Sequence, residues 1–536
     1  MSPKSKSTNL ATIQTPGVYI QELNAFPNSV TGVATAVPAF IGYTPKASYL
    51  GKSYTKIPVK ISSFAEFTTY FCLPDPQQPT NQTKQYSPQY YLVQQKSQPV
   101  KGDYILNNGS YYSIVPDPST IYYLYNSVKL FYENGGGDAY IVSVGPYGPA
   151  SQKPMAPDAP LVNANVQLND LQKGLYALLN AQEPTMYICP EATLLNLEDN
   201  GTLMQDMLNQ ASTLMTSVCI FDIIGGNAPD PVLYKQDIAN FRAHTGMNGL
   251  SYGIAYYPFI GTNLMQNTAI DYTNLFGGDF KQLESIINPS SAPNPDITAI
   301  LNNIRNPESG LTIAQNNNAL MNASSLYSLI INHVLANANI LPPSGGMAGV
   351  ITATDTNTGP WQAPANTSIA GVISLPIALS DSQQGPLNVD AVSGKSINVI
   401  RSFNSLGILV WGARTLDGNS PDFKYISVRR TLVYLEQSCK FAIQPFIFAP
   451  NDQNTWVAAT SMISDFLTSV WKQGGLQGAS PKDAFQVICG LGQTMNGEDI
   501  LNGYMIVLIK VALIRPDEFI TLTVQQQMKH LANKET

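Results

Sequence analysis

Charge is what this chain is short of. Asp, Glu, Lys and Arg make up 12% of its 536 residues, about half the share usual in globular proteins, so much of the surface is built from Asn, Gln, Ser, Thr and Tyr. Such a surface can be buried against neighbours at low desolvation cost. The net charge is −7; without a broad cationic field no nucleic-acid partner is expected. Histidine is scarce too. His244, His333 and His530 are the whole supply, and none has a second histidine or a cysteine at ligand spacing, so no metal is expected. Cys72, Cys189, Cys219, Cys439 and Cys489 form no Cys-x-x-Cys pair and sit in apolar phrases such as MYICP and SVCIF, which reads as reduced core thiols. The most apolar run, Tyr504 to Ile514, is too short to span a bilayer and carries Lys510, so no direct membrane insertion is expected. Lys4 and Lys6 precede no apolar stretch; without a secretory signal, the expectation is synthesis in the cytosol.

What is present is a chain long enough for several domains and a large core, with 44% hydrophobic residues. TPGVYIQEL, residues 15–23, stands almost alone between a polar arm and the apolar run GVATAVPAFIGY of Gly32 to Tyr43. The backbone groups of Val18, Tyr19 and Ile20 need partners, from water, from the chain's own sheet or from another copy. IPVKISSFAEFTTYF reads as a strand and a short helix capped by Ser62 or Ser63. Residues 74–118 are polar and Pro-rich, a loop or small excursion. Leu124, Val128 and Phe131 then share a helical face, Gly135 to Gly137 end that helix, and Ala139 to Val144 read as a buried strand.

This helix-then-strand grammar repeats. LQKGLYALLNA leads to TMYICP, TLMQDMLNQASTLM to SVCIFDI, and LYKQDIANFRAH to GLSYGIAYYPFI, which predicts an α/β layer with its sheet covered on both faces. From Gly261 to about Ile340 the text turns rich in Asn, Ser and Pro, as an outer insertion would. INVIRSF and GILVWGAR read as strands, and YISVRRTLVYLEQSC as a helix or a strand. Trp456, Ala459, Ile463, Phe466 and Val470 mark one helical stripe. Ser480 and Pro481 open a short helix, and FITLTVQQQ alternates as a half-buried strand.

Catalysis finds little support. NGGGD, residues 134–138, lacks the Lys-Ser/Thr of a phosphate loop and follows a helix, so it reads as a helix stop. Asp222, His244 and PPSGGMAG, residues 342–349, mimic the order of a subtilisin-type hydrolase. The residue before Met347 is Gly346, however, so no hydroxyl stands there to form an acyl-enzyme. Ser344 comes two residues early. No catalytic residue and no cofactor is expected.

Many phrases together resemble the contractile tail sheath proteins of phages and of phage-tail-like injection systems. TPGVYIQEL followed by TGVATAVPAFIGYT is similar to the family's amino-terminal signature. KISSFAEFTTYF, LFYENGGGDAYIVSVG, YGIAYYPFI, PPSGGMAGVITATDTNTGPWQAPAN and INVIRSFNSLGILVWGARTL resemble family phrases in family order. So do YISVRRTLVYLEQS, FAPND, FLTSVWKQGGLQGASPKDAF and IRPDEFITLTV. Residues 74–118 and 261–340 show no such resemblance.

The resemblance implies a mixed α/β (α+β) fold with a split inner assembly domain, made from both chain ends, and an outer subtilisin-like α/β domain with insertions. The expected boundaries are 1–45 for an amino-terminal linker arm and strand and 46–120 for a variable outer segment. A subtilisin-like domain is expected over 121–370, with its insertion at about 261–340, and a carboxy-terminal assembly domain over 371–536. It further implies that Gly17, Val18, Tyr19, Ile20, Gln21 and Glu22 form one linker strand and Phe519, Ile520, Thr521, Leu522, Thr523 and Val524 another. Each would complete a sheet in a neighbouring subunit by strand addition. Pro27, Gly32 and Pro516 are candidate hinges; Arg414, Arg429 and Arg430 are candidate interface charges able to pair with Asp452 or Glu518. The implied partners are further copies in helically stacked rings, an inner tube protein, baseplate proteins, tail-terminator or cap proteins, and sister sheath proteins. The implied setting is a phage tail or a contractile injection particle, extracellular or cytoplasmic, made in a bacterial cytoplasm. Contraction of the sheath would drive the tube through a target envelope. A hydrolase and a surface adhesin are the rival readings.

Overall fold

A computed structural model describes residues 30, 32–74, 84–306 and 310–518. The expected linker strands Gly17–Glu22 and Phe519–Val524, and the candidate hinge Pro27, lie outside the described residues.

Eight strands form the main sheet: β1 (Pro38–Thr44), β2 (Val59–Ile61), β3 (Ala139–Pro146), β4 (Met186–Ile188), β5 (Val218–Asp222), β6 (Gly253–Tyr257), β7 (Asn398–Phe403) and β8 (Gly407–Trp411). Their order is β8-β7-β6-β5-β4-β1-β3-β2. The six inner strands run parallel, and β2 and β8 close the edges antiparallel. Seven helices around this sheet follow the grammar of the sequence: α1 (Phe64–Phe71), α2 (Leu124–Glu133), α3 (Leu168–Ala177), α4 (Leu197–Leu214), α5 (Lys235–His244), α6 (Ser344–Asn357) and α7 (Ile426–Ile443). Ser63 caps α1 by accepting from Glu66 N–H, and α2 ends where Gly135 takes φ +89°. The segment YISVRRTLVYLEQSC is therefore a helix.

Successive residues of a strand point to opposite faces, and β1 shows the consequence. Phe40 meets Phe131 of α2 with ring centroids 5.5 Å apart, while Ile41 lies against Gly174 of α3. All seven β1 residues are buried, as a strand covered on both faces must be. The Gly-rich stretch at 345–349 is a packing surface. A Cβ on Gly345 would stand 2.5 Å from Ser127 O, and one on Gly349 would stand 2.6 Å from Phe131 O. The glycines of PPSGGMAG thus let α6 lie on the backbone of α2.

Residues 84–118 are more ordered than their composition suggests. Tyr90–Gln95, Tyr104–Asn107 and Ser110–Pro116 make a three-stranded antiparallel sheet with the third segment central. The Asn-, Ser- and Pro-rich text after Gly261 is largely cap chemistry. Asn294 caps the helix Pro295–Arg305, Thr312 and Gln315 form a capping box on Ile313–Ala323, and Ser324 caps Ser325–Ala338.

The described chain divides into two compact units: Ala34–Val433 with the segment from Ile514, and a smaller one made of residues up to Val33 with Tyr434–Leu513. The boundaries expected at 45, 120 and 370 differ from this because sheet pairing is non-local. β1 hydrogen-bonds with β3 and β4, and β7 with β6, which puts 34–45 and 371–433 in the larger unit. The smaller unit holds the end of α7, α8 (Gln453–Lys472), the short helix Pro481–Ala484, and the strands β9 (Phe485–Ile488) and β10 (Leu508–Val511).

Gly349→Ala should lower the midpoint of thermal or denaturant unfolding, by about 1–3 kcal/mol of overpacking. An unchanged midpoint would contradict the close approach of α6 to α2.

Candidate functional site

In the smaller unit the first described residues meet the segment Tyr434–Leu513. Val33 N–H donates to Ser438 Oγ at 3.1 Å, and a Cβ on Gly32 would stand 2.3 Å from Tyr434 Oη. Close approach thus accounts for the glycine at the candidate hinge Gly32. Val30 packs on a small core of Phe446, Ala459 and Met462. The α8 stripe expected from the sequence is inside: Ala459, Ile463, Phe466 and Val470 are buried, with Trp456 half-buried. β9 and β10 pair antiparallel from Phe485↔Val511 to Ile488↔Leu508. Among the described residues no third strand joins this ribbon. Leu491, Leu501, Tyr504, Ile506 and Leu508 around it are exposed, and Phe448 is fully so, at φ +68°.

In the larger unit the described chain ends on an ion pair. Glu518 accepts from Arg414 Nε at 2.8 Å and Nη2 at 2.6 Å, from Asn388 Nδ2 at 2.7 Å and from Tyr425 Oη at 3.2 Å. Burial would raise the Glu518 carboxyl, but these hydrogen bonds and the Arg414 charge outweigh it and hold it below its ordinary value. The other expected charges sit differently. Arg430 pairs with Asp355 at 2.8 and 2.5 Å, both side chains buried, and also donates to Thr35 O. Arg429 lies between the rings of Phe423 and Tyr252, 4.0 and 4.3 Å from their centroids, and donates to Ser251 Oγ. Asp452 has no arginine partner: it caps α8 by accepting from Thr455 N–H. Pro516 precedes Glu518 in the wall of a groove that also holds Arg401 and Trp411.

The hydrolase constellation is not assembled. Asp222, at the end of β5, accepts from Ser344 N–H at 2.9 Å and from Ser344 Oγ at 2.5 Å. Ser344 is fully buried and held at the start of α6. Burial pushes Asp222 up to about 7 against those two hydrogen bonds. His244 Nδ1 is engaged at 2.7 Å by Asn240 O of its own helix. The cavity at the carboxyl ends of the strands, about 740 Å³, is lined by Tyr123, Asp237 and Phe259 but by none of Asp222, His244 and Ser344.

The crevice where open parallel sheets bind ligands lies between strands whose outgoing connections diverge; here these are β1, leading to β3, and β4, leading to β5. Glu191 fills it. Its carboxylate stands against Gly42, where a Cβ would come within 2.2 Å, and it accepts from Leu124 N–H at 2.8 Å and Tyr123 N–H at 3.3 Å, so capping α2 from outside. Burial drives this acid up to about 8 despite those hydrogen bonds. Glu191 and Asp355 were not singled out from the sequence. An acid inside the apolar phrase YICPEATLL was the available signal for Glu191. Asp355 sits 75 residues from Arg430 and gave none.

Residues 419–527 match the family described as Phage tail sheath C-terminal domain. A tail sheath protein of Vibrio phage KVP40 is 28% identical over 186 residues, which is 34% of this chain and 26% of that protein; the chain thus spans about a quarter of the length of that curated relative. Among solved structures, the sheath of PVC, an extracellular contractile injection system in its contracted state, is 23% identical. The match covers 96% of this chain and 98% of that one, with a TM-score of 0.56. A chain in the baseplate of the anti-feeding prophage is 24% identical over 96% of this chain and 100% of its own, with a TM-score of 0.54. At this identity the likeness is one of fold.

Glu191→Gln should stabilise the protein in a pH-dependent way. The folded-state value is raised, so folding takes up a proton. The cost of keeping that proton therefore grows from about pH 4.5, near the unfolded value, to about pH 8. The variant's unfolding midpoint should exceed the wild type's by a margin that widens over this window and is flat above it. A margin independent of pH would contradict the assignment.

Proposed function

We propose that this chain, which carries a phage tail sheath C-terminal domain and the fold of contractile sheath subunits, is a structural subunit of a contractile sheath. It polymerises helically around an inner tube and shortens to drive that tube through a target envelope. The observation that carries this reading is the smaller unit: residues 30, 32 and 33 pack with Tyr434–Leu513, and its two-stranded ribbon has no further strand along its edges among the described residues. Unpaired edges recruit strands from other chains. In this reading Gly17–Glu22 and Phe519–Val524 supply them to neighbouring copies, and the smaller unit is the assembly element. Head-to-tail pairing that does not close on itself gives an open helix.

The mechanics follow from rigid bodies on tethers. Two packings that differ by roughly a few kcal/mol per subunit release, over many subunits, far more than one binding event provides, so firing needs no nucleotide. Partners at the particle's ends are a baseplate, the setting of the anti-feeding prophage relative, and a terminator or cap; an inner tube and sister sheath proteins complete the set. The low charge of the surface suits repeated burial against copies of itself.

A chain lacking residues 1–29 should remain folded by circular dichroism and yield no tubes in negative stain, where the full chain gives them. Full-length tubes from the shortened chain would overturn the strand-exchange reading.

A further inference from the structure

A groove of about 610 Å³ opens beside Glu518, walled by residues 362–366, the helix Asp381–Asn388, the end of β8 and Tyr425. Two polar atoms in its lining residues have no partner: Arg401 Nε and Asn388 Oδ1. Arg401 is only 7% exposed. Its Nη1 is taken by Asp381 and by Gln384 Oε1, and its guanidinium lies 4.7 Å from the Phe403 ring centroid, which leaves Nε as the idle donor. Asn388 spends its amide N–H on Glu518, which leaves its oxygen as the idle acceptor. Both atoms lie beneath the groove surface, and leaving them bare is costly; a small turn of the two side chains would let a peptide unit in the groove satisfy them with its C=O and N–H. The half-exposed Trp411 ring on the same wall offers an apolar contact.

The occupant is indicated by where the chain goes. Pro516, Asp517 and Glu518 already line the groove, and Glu518 is clamped at its mouth by Arg414 and Tyr425. Phe519 begins within about 3.8 Å of the Glu518 Cα. The following text, FITLTV, is six residues of high strand propensity without charge, Pro or Gly, the kind of segment that aggregates when left uncovered.

We propose that this groove is a resting site for the chain's own residues Phe519–Leu522, occupied in the free monomer and vacated when the strand passes to a neighbouring copy. The handover rests on the sheath reading above; the resting site does not. A covalently attached segment sees its groove at an effective concentration of roughly millimolar or more. A monomer with its strand at rest is not competent to add to a polymer, so its apparent affinity for the growing end falls in proportion to the competent fraction. Growth then favours ends that offer a complete receiving edge over chance pairs of monomers.

The test is a disulfide in the full-length chain. Ala365→Cys in the groove wall and Ile520→Cys are combined with Cys489→Ser, which removes the half-exposed native thiol. The protein is oxidised as a dilute monomer and examined by non-reducing electrophoresis and peptide mass mapping. The resting site requires an intrachain 365–520 disulfide in most molecules, loss of tube formation while it is closed, and recovery on reduction. Disulfides only between chains, or none, overturn it. Tubes from the reduced protein without the intrachain disulfide would remove the resting site and keep the sheath reading; the intrachain disulfide with no tubes under any condition would do the reverse. Should the triple variant fail to fold, hydrogen exchange on the unmodified monomer decides. The amides of residues 520–522 should exchange at least about tenfold more slowly than those of the tail from 528 onward, and equal rates overturn the site.

Discussion

The backbone N–H and C=O groups along the outer edges of β9 and β10 need partners, and a two-stranded ribbon in water is at best marginally stable. α8 and the small core of Phe446, Ala459 and Met462 give the ribbon a platform, but its flanks still present Leu491, Leu501, Ile506 and Leu508 to solvent. Everything proposed for this protein's function depends on that sheet, which has two strands among the described residues. A monomer with such an edge either aggregates without order or meets strands made to fit, and alternate side chains on the incoming strand are what fix the register.

The larger unit answers a different demand. In the proposed sheath a subunit that moves as a body must not deform, and here the sheet, with its six parallel strands, is covered on both faces, with Phe40 and Ile41 contacting opposite helical layers. The buried Arg430–Asp355 pair ties the start of α7 to α6. Removing either member would leave a bare charge inside, at a cost of about 3–5 kcal/mol. The crevice that would serve an enzyme of this topology is filled by Glu191, and Asp222 is used to hold Ser344.

Much of this frame was legible in the sequence because it is local. The 3.6-residue period of Leu124, Val128 and Phe131, the Ser63 cap and the unbroken apolar strands each report their own neighbourhood. What was hidden is non-local. Nothing in PPSGGMAG says that its glycines face the backbone of α2, and nothing near Arg430 names Asp355. The small sheet at 90–116 was obscured because its tyrosines come in adjacent pairs, Tyr90-Tyr91 and Tyr111-Tyr112, and give no clean alternation in a Pro-rich setting. Asp452, offered as an ion-pair partner, is a helix cap, a role its position before QNTW already allowed. Glu518 was one of two candidate partners for three arginines, and which of them it takes, Arg414, is again non-local.

The most direct measurement is a helical reconstruction of the assembled polymer by electron cryo-microscopy at a resolution that traces strands. The account predicts that β9 and β10 are flanked by residues 17–22 and 519–524 of other copies. A ribbon flanked by those same residues of its own chain, or by nothing, would contradict it.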